Sequence, residues 1–527
     1  MGAATCLVLF SPPAAWAVAD RGESPVLILG DRFPDFTGLP IEQLALFRYD
    51  ENAGAYQPTP YQIDERIVDR VFREGTSIEF TDTIYDIYGE DDGLLDGDDE
   101  LVFLFDDAGP QAPAEVPWPS GAGSQRYEIE VNDPRFGAPV AERYVYLFSG
   151  ASLTISPTSY VTWSVSASSD VTTPVFSLSY EDKWLLLGLS VAPPCGTGAN
   201  LLDRIKGRAG GRTIDHGETE QNWNDAEPPV DSTFMGGIVG PVRAIRYIMG
   251  AVSAVNTIHH DRIYRGLWER HVNLRVHTIP TVFLYFDWFP PAGARLCLPG
   301  DPSGLAVDGS HETPTGWDPC PTPLPGACGV LPDWAVYRSS FGGLVMFFEI
   351  PPSMFYQSAG AYYLDDDEYN DQTLLVPTYE DADDSAYDLG IVIDAPGGNG
   401  VSETIFVGWS VYPLCADTGD AAMGASYREF VDFPLGVTTR VQYEMLGRIE
   451  SVTARLDDND IALEWQATSG TTSYRVCATE FPDLPRSTWI SLGDTPTPDF
   501  RDTAAALSGT SRYYSVVAIG PGGEGTH

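Results

Sequence analysis

The sequence predicts an all-β protein built as a multidomain set of β-sandwiches, and three observations carry that prediction. Helical periodicity is scarce along the 527 residues. Short runs of alternating or continuous apolar residues recur between Gly, Pro, Asn and Asp clusters, as in "PVLILGD", "QLALFRYDENAGAYQPTPYQIDE" and "RYVYLFSG". The length exceeds one ordinary core, so two to four domains are expected at about 150 residues each. With 43% hydrophobic and 12% aromatic residues the chain folds despite a formal net charge of −45.

Taken in order, residues 1–19 read as a secretory signal, with an apolar run followed by Ala17-Val18-Ala19, the small-x-small pattern cut before Asp20. No later stretch reaches the ~18 apolar residues that cross a bilayer. A first β domain is expected over residues 20–150. Within it, "DENAGA" separates two strand-like runs and suits a tight reversal, which predicts a hairpin. A central β domain follows over 151–445, interrupted by long loops, and a small C-terminal sandwich over 446–527. In that last segment Ile461, Leu463 and Trp465 alternate on one face, as do Tyr474, Val476 and Ala478 on the next strand.

The negative charge is spread along the chain, and the only lysines are Lys183 and Lys206. Such a field repels phosphates, so nucleic-acid binding is excluded, and it attracts cations. Six cysteines follow the signal: Cys195, Cys297, Cys320, Cys328, Cys415 and Cys477. An even number in an exported chain predicts disulfides. Cys320 and Cys328 flank "PTPLPGA", which favours a local bridge there or one from either to Cys297. For Cys477 the readings are a buried thiol or a bridge to the preceding domain. Zinc is disfavoured, because no CxxC pair occurs.

The stretch "YGEDDGLLDGDDELVFLFDD", Tyr88 to Asp107, gathers six carboxylates within ten residues before an apolar strand. Calcium takes six to eight oxygen ligands from loops that alternate carboxylates around a glycine at a sharp turn. With Gly93 as that glycine, the ligands are Glu90, Asp92, the Leu94 carbonyl, Asp96 and Asp99. The spacing resembles the dockerin form of the EF-hand loop, which closes with Asp. It departs from that family at Tyr88, where the first acid should stand unless Asp86, Asp91 or Asp98 substitutes, and in the strand "ELVFLF", where a helix should follow. The competing reading is a solvated acidic hairpin loop. Paired glycosidase-type acids are disfavoured, since carboxylates this dense are ordinarily all ionised. A second acidic cluster, from Tyr362 to Asp394, reads the same way but lacks the glycine.

In "HHDRIYRGLWERHVNLRVH" a strand from His271 would set His271, Asn273, Arg275 and His277 on one face. With His259, His260 and Asp261 nearby, a metal or acid–base site would assemble, although Arg275 opposes a cation there. Arg265, Trp268, Glu269 and Trp288 are candidates for a sugar groove, set against the commoner role of tryptophan in a sandwich core. No GxSxG, HExxH, Walker, dinucleotide or CxxCH pattern is present.

Two further segments resemble known families. The block around "VGPVRAIRYIMG" is similar in texture to the large sandwiches of the mutarotase-like carbohydrate enzymes, in which a "GPVR" strand is familiar. The last eighty residues resemble a fibronectin type III domain, through the tryptophan of "IALEW", the "SYRVCAT" strand, and "RYYSVVAIGPGGEG" leading into a Gly-rich turn.

The expectation is therefore a secreted extracellular or cell-surface β protein with a binding, adhesive or structural role, stabilised by calcium. Its partner would be an extracellular protein or polysaccharide. The alternative is a secreted polysaccharide-acting hydrolase or lyase with its site in the central domain.

Overall fold

The computed structural model describes residues 21–72, 79–136, 142–180, 186–210, 233–252, 255–275, 281–320, 326–350, 358–368, 386–394, 404–415, 420–443, 449, 451–468, 471–481, 488–503, 505–508, 511–520 and 523–524. The expected signal, His277 and most of the second acidic cluster lie outside these residues. The architecture is all-β: every strand pairing among the described residues is antiparallel, and the regular α-helix is Ala421–Asp432. Asp420 caps that helix, its Oδ1 accepting the Met423 N–H at 3.0 Å.

At the N-terminal end, Glu100–Leu104 lies between Pro25–Leu29 and Gln62–Asp64. All five of its residues are buried, which is why it reads as an unbroken apolar run. Leu101 and Phe103 pack with Val26, Ile28, Ile129 and Leu147 in the core of the N-terminal unit. The alternate residues Val102 and Leu104 pack with Tyr264, Val345 and Phe347 of the central unit. One strand thus serves two cores.

A five-stranded sheet completes the N-terminal unit, in the order Gly436–Tyr443, Gln125–Asn132, Glu142–Ser149, Leu44–Asp50, Ala55–Pro58. Its last two strands form the hairpin that "DENAGA" predicted, with Asp50 opposite Ala55 and Gly54 at φ +62° in the turn. Its first strand was not expected here. Gly436–Tyr443 falls in the span assigned to the central domain, yet it pairs along its whole length with Gln125–Asn132. A pairing between segments some three hundred residues apart leaves no local mark in the sequence.

The central unit is two large sheets face to face. A nine-stranded sheet carries Thr233–Val239, Arg243–Val252, Val255–Tyr264, Trp268–Arg275, Thr404–Leu414 and Gly342–Glu349 in that order, then Ala335–Ser339, Arg295–Leu298 and Asp301–Ala306. Opposite it, a six-stranded sheet includes Thr281–Trp288, Ala386–Asp394 and Ser358–Asp366. Trp268, Phe286, Trp288, Tyr337 and Trp409 fill the space between them. Trp288 stacks on Phe286 and Tyr337 with ring centroids 5.3 and 4.9 Å apart.

Two disulfides tie this unit. Cys320–Cys328 is the local bridge the spacing favoured, and Cys195–Cys415 joins residues 220 apart. Cys297 is buried without a bridge, so its pairing with either loop cysteine does not occur. Cys477 is half-buried on its strand.

The C-terminal segment folds as a small sandwich of three strands (Val452–Asp457, Asp460–Trp465, Asp499–Asp502) against four (Ile490–Thr495, Ser473–Thr479, Tyr513–Gly520, Gly523–Glu524). Leu463, Trp465, Tyr474, Val476, Val516 and Ala518 form its core, as the alternation predicted.

Candidate functional site

The acidic loop leaves Glu79–Tyr85 and re-enters the sheet at Glu100. Its backbone is lashed to the preceding segment: Leu95 N–H donates to Leu39 at 2.9 Å, Ile41 N–H to the Gly93 carbonyl at 3.0 Å, and Gly30 N–H to the Asp99 carbonyl at 2.8 Å. Gly93 sits at φ +74°, the sharp turn its spacing predicted. Short acidic side chains then cap local amides. Asp86 accepts from Tyr88 and Asp91, Asp92 from Leu94 at 2.9 Å, and Asp96 from Asp98 at 3.2 Å.

Of the predicted ligands, Asp92 is drawn into a cluster. Its carboxylate, that of Asp91 and that of Glu65 have ligating atoms within 4.8 Å of one another. Glu65, which follows the strand Gln62–Asp64, was not foreseen. Among the described residues, Glu90, Asp96 and Asp99 belong to no such trio. Glu90 and Asp96 are exposed, and the Leu94 backbone bridges to Pro40. Asp99 is fully buried. Its Oδ2 accepts the Asp96 N–H at 2.7 Å, while Oδ1 has no hydrogen-bond partner. Burial pushes the Asp99 carboxyl up to about 7, and the charges of Asp96, Asp91 and Glu65 act in the same direction. Burial likewise raises Glu65, with Asp91, Asp86 and Asp92 adding to the effect.

The residues beside this loop face the other way. Asp64 and Glu100 stand opposite each other in neighbouring strands and both bind Arg243 of the central unit. Arg243 Nε and Nη2 reach Asp64 Oδ2 at 2.9 and 2.6 Å, and Nη2 reaches Glu100 Oε1 at 2.7 Å. The three side chains are 0%, 1% and 9% exposed. Tyr85 and Tyr264 complete the network through their hydroxyls. Gln62 Oε1 accepts the Val242 and Arg243 amides. Gly240 of the "GPVR" stretch leaves room for it, since a Cβ there would lie 2.2 Å from that oxygen. Burial works against the Arg243 charge, but Asp64 and the surrounding groups more than offset it and hold its pKa above the ordinary value. Glu100, although buried, is held below the usual range by Arg243.

The histidines divide between the two faces of the nine-stranded sheet. His260 and His271 are cross-strand neighbours on the face that also bears Arg243, and their rings stack at 4.9 Å. Tyr247 stacks on His260 at 5.2 Å. Arg262 Nη2 lies 2.7 Å from His271 Nε2 and 3.1 Å from Glu269. Burial, then the Arg262 charge, lowers His271 to about 4. His259 and Asp261 point into the sandwich core instead, where Asp261 binds Arg270 at 2.5 and 2.7 Å, Trp268 Nε1 at 3.2 Å and the Tyr180 hydroxyl at 2.9 Å. The expected assembly of all of them in one site is not formed, because successive strand residues alternate between faces.

The expected sugar groove is not formed either. Trp268 and Trp288 are core residues, Glu269 lies on the opposite face, and Arg265 is engaged with Glu23 at 2.5 Å. Within the second acidic cluster, Asp366 and Asp367 join His311 in another trio within 4.8 Å.

In comparison with known proteins, no family model and no curated protein matches this sequence. Similar solved structures include an Fn3-like protein from Clostridium thermocellum, with 26% identity and a TM-score of 0.13 over 14% of this chain and 78% of that one. A protein in the glycosyl hydrolase family 38 from Enterococcus faecalis has 9% identity and a TM-score of 0.36, covering 90% of this chain and 55% of its own. The gh92 family glycosyl hydrolase ccman5 has 11% identity and a TM-score of 0.18, over 45% and 29%. Likenesses at these scores leave the functional reading to the residues themselves.

Proposed function

We propose that this is a secreted, multidomain β protein with an extracellular binding, adhesive or structural role, its N-terminal acidic loop stiffened by calcium. The observation that carries the reading is the gathering of Glu65, Asp91 and Asp92 within 4.8 Å on a loop already tied to its neighbours by backbone hydrogen bonds. Three carboxylates held that close repel one another, and a hard cation with oxygen ligands relieves the repulsion. Two disulfides support an oxidising, exported setting. The three-on-four C-terminal sandwich, with Trp465 in its core, supports reading that segment as a fibronectin type III module serving as spacer or contact surface. An extracellular protein or polysaccharide is the expected partner. Thermal melts and calorimetry with and without calcium test the cation part, and absence of both heat and a shifted melting temperature would remove it.

A second reading, a polysaccharide-acting hydrolase or lyase, is favoured by one observation. Glu349 ends a strand on the His271 side of the nine-stranded sheet, opposite Gly408, which in turn pairs with His271. Glu349 is exposed at the strand's end, and its carboxyl is raised above the ordinary value by desolvation and then by the charge of Glu269, the direction a general acid needs. Screening the purified protein on a glycan panel decides it; no turnover and no binding on any glycan discards this reading.

A further inference from the structure

We infer that the cavity between residues 48–52 and residues 106–110 of the N-terminal unit binds a neutral saccharide, held through its hydroxyl groups. This rests on the polysaccharide side of the partner reading above and gives that partner a site apart from the acidic loop.

The five-stranded sheet splits at this point. Leu44–Asp50 pairs with Glu142–Ser149 from Leu44 opposite Ser149 to Phe47 opposite Tyr146, and the ladder ends there. Gly109 enters instead, its N–H donating to the Tyr144 carbonyl at 3.0 Å and its carbonyl accepting the Tyr144 N–H at 2.7 Å. Only a glycine allows so close an approach, since a Cβ would lie 2.6 Å from the Tyr49 carbonyl oxygen. Beyond the split a cavity of about 420 Å³ opens, within the roughly 300–1,000 Å³ of small-molecule sites. Arg48, Asp50 and Asn52 line it from one strand and its turn, Glu142 and Arg143 from the other strand, and Asp106 from the turn before Gly109.

The lining selects the ligand by exclusion. Arg48 is half-buried and makes no hydrogen bond or ion pair among the described residues, in a chain with 75 acidic side chains against 30 basic ones. Its guanidinium offers a rigid fork of donors that no protein group receives. Acceptors stand around it. Asp50 Oδ1 takes the Asn52 and Ala53 amides at 2.8 and 3.1 Å, and Glu142 Oε2 takes the Tyr144 hydroxyl at 3.0 Å. Each carboxylate is thus positioned through one oxygen and keeps the other for a ligand. Asp106 lies 3.8 Å from Arg143. An anionic ligand would meet Asp50, Asp106 and Glu142 as well as Arg48, and a cationic one would meet two guanidiniums. Hydroxyl groups donate to carboxylates and accept from guanidiniums, so a neutral polyol satisfies both. Adjacent hydroxyls of a sugar ring present paired oxygens that such planar, two-pronged groups engage together.

The test is titration of the full chain with neutral tetrasaccharides of glucose, mannose, galactose and xylose, read by saturation-transfer NMR and calorimetry. Tetragalacturonate and tetraglucosamine serve as anionic and cationic controls. At least one neutral tetrasaccharide should bind, and neither control should bind more tightly. Arg48→Met and Glu142→Gln should each weaken that binding at least tenfold. Asp170→Asn, at an exposed position outside the cavity lining, should change it less than twofold. Near-ultraviolet circular dichroism checks folding, and if one cavity variant fails it the other carries the test. Wild-type affinity in either folded cavity variant would overturn this site and leave the polysaccharide partner to another face. No binding of any saccharide would overturn the site and the polysaccharide partner together, leaving an extracellular protein as partner. Tighter binding of a charged control, lost in Arg48→Met, would overturn the neutral class.

Discussion

Asp64 and Glu100 face each other across two antiparallel strands and share one guanidinium, that of Arg243, at 2.6 and 2.7 Å. The pair belongs to the N-terminal unit and the arginine to the nine-stranded sheet, so the contact fixes how the two meet. Removing one partner from a buried ion pair strands the other charge, which typically costs about 3–5 kcal/mol. Arg243→Leu should therefore destabilise the junction by about that amount, read as a lowered midpoint in urea unfolding monitored at both units. The triple variant with Asp64→Asn and Glu100→Gln should recover part of the loss, since no carboxylate is then left unpaired.

Asp99 predicts how stability depends on pH. Its folded pKa, about 7, lies above the ordinary carboxylate value, so the folded state holds a proton that the unfolded state has released. Between about pH 4 and pH 7 the folded chain binds more protons, and this group's contribution to stability falls as pH rises. In chelator, the melting temperature of wild type minus that of Asp99→Asn should decline across that window and level off above it. A difference that stays flat in chelator would contradict the buried, protonated Asp99.

His271 gives a slope of the opposite sign. Burial and Arg262 lower it to about 4, so below the ordinary histidine value of ~6.5 the unfolded chain gains a proton that the folded chain does not. The stability tied to a neutral His271 is complete above about pH 6.5 and is lost as pH falls toward 4. His271→Gln should flatten the acid side of the profile, measured as melting temperature from pH 4 to 7. The stacked neighbour His260, also lowered by burial, should contribute in the same direction.

The all-β class and the "DENAGA" hairpin were legible in the sequence because both rest on local alternation and turn chemistry. The C-terminal core was legible for the same reason: Leu463 and Trp465, then Tyr474 and Val476, alternate inward as read. The acidic loop was found, but EF-hand spacing chose its ligands along one segment. Glu65 follows the strand that pairs with Glu100–Leu104 and reaches the loop by accepting the Gly93 N–H at 2.7 Å, an approach that the linear order conceals. A signal was present in "QIDE" and "DDE", two short runs that set acids on both faces of strands flanking one buried core. The strand Gly436–Tyr443 had no comparable signal, since its partner lies some three hundred residues away. The histidines were grouped by proximity in sequence, whereas the pleat sends His259 and His260 to opposite sides of the sheet.

The two disulfides should differ in what they contribute. In the chain-entropy account a cross-link stabilises by restricting the unfolded state, and the effect grows with the loop it closes. Cys195–Cys415 spans 220 residues and Cys320–Cys328 spans 8, which corresponds to roughly 5 and 2.5 kcal/mol. The long bridge also ties the loop after Leu186–Val191 to the end of Thr404–Leu414, a central strand of the nine-stranded sheet. Replacing Cys195 and Cys415 together by Ala should lower the melting temperature of the central unit more than replacing Cys320 and Cys328 together. The double replacements leave no stray thiol to confuse the comparison. Equal losses from the two pairs would mean that the unfolded central unit is already held compact by residual structure, and the entropic ordering would then fail.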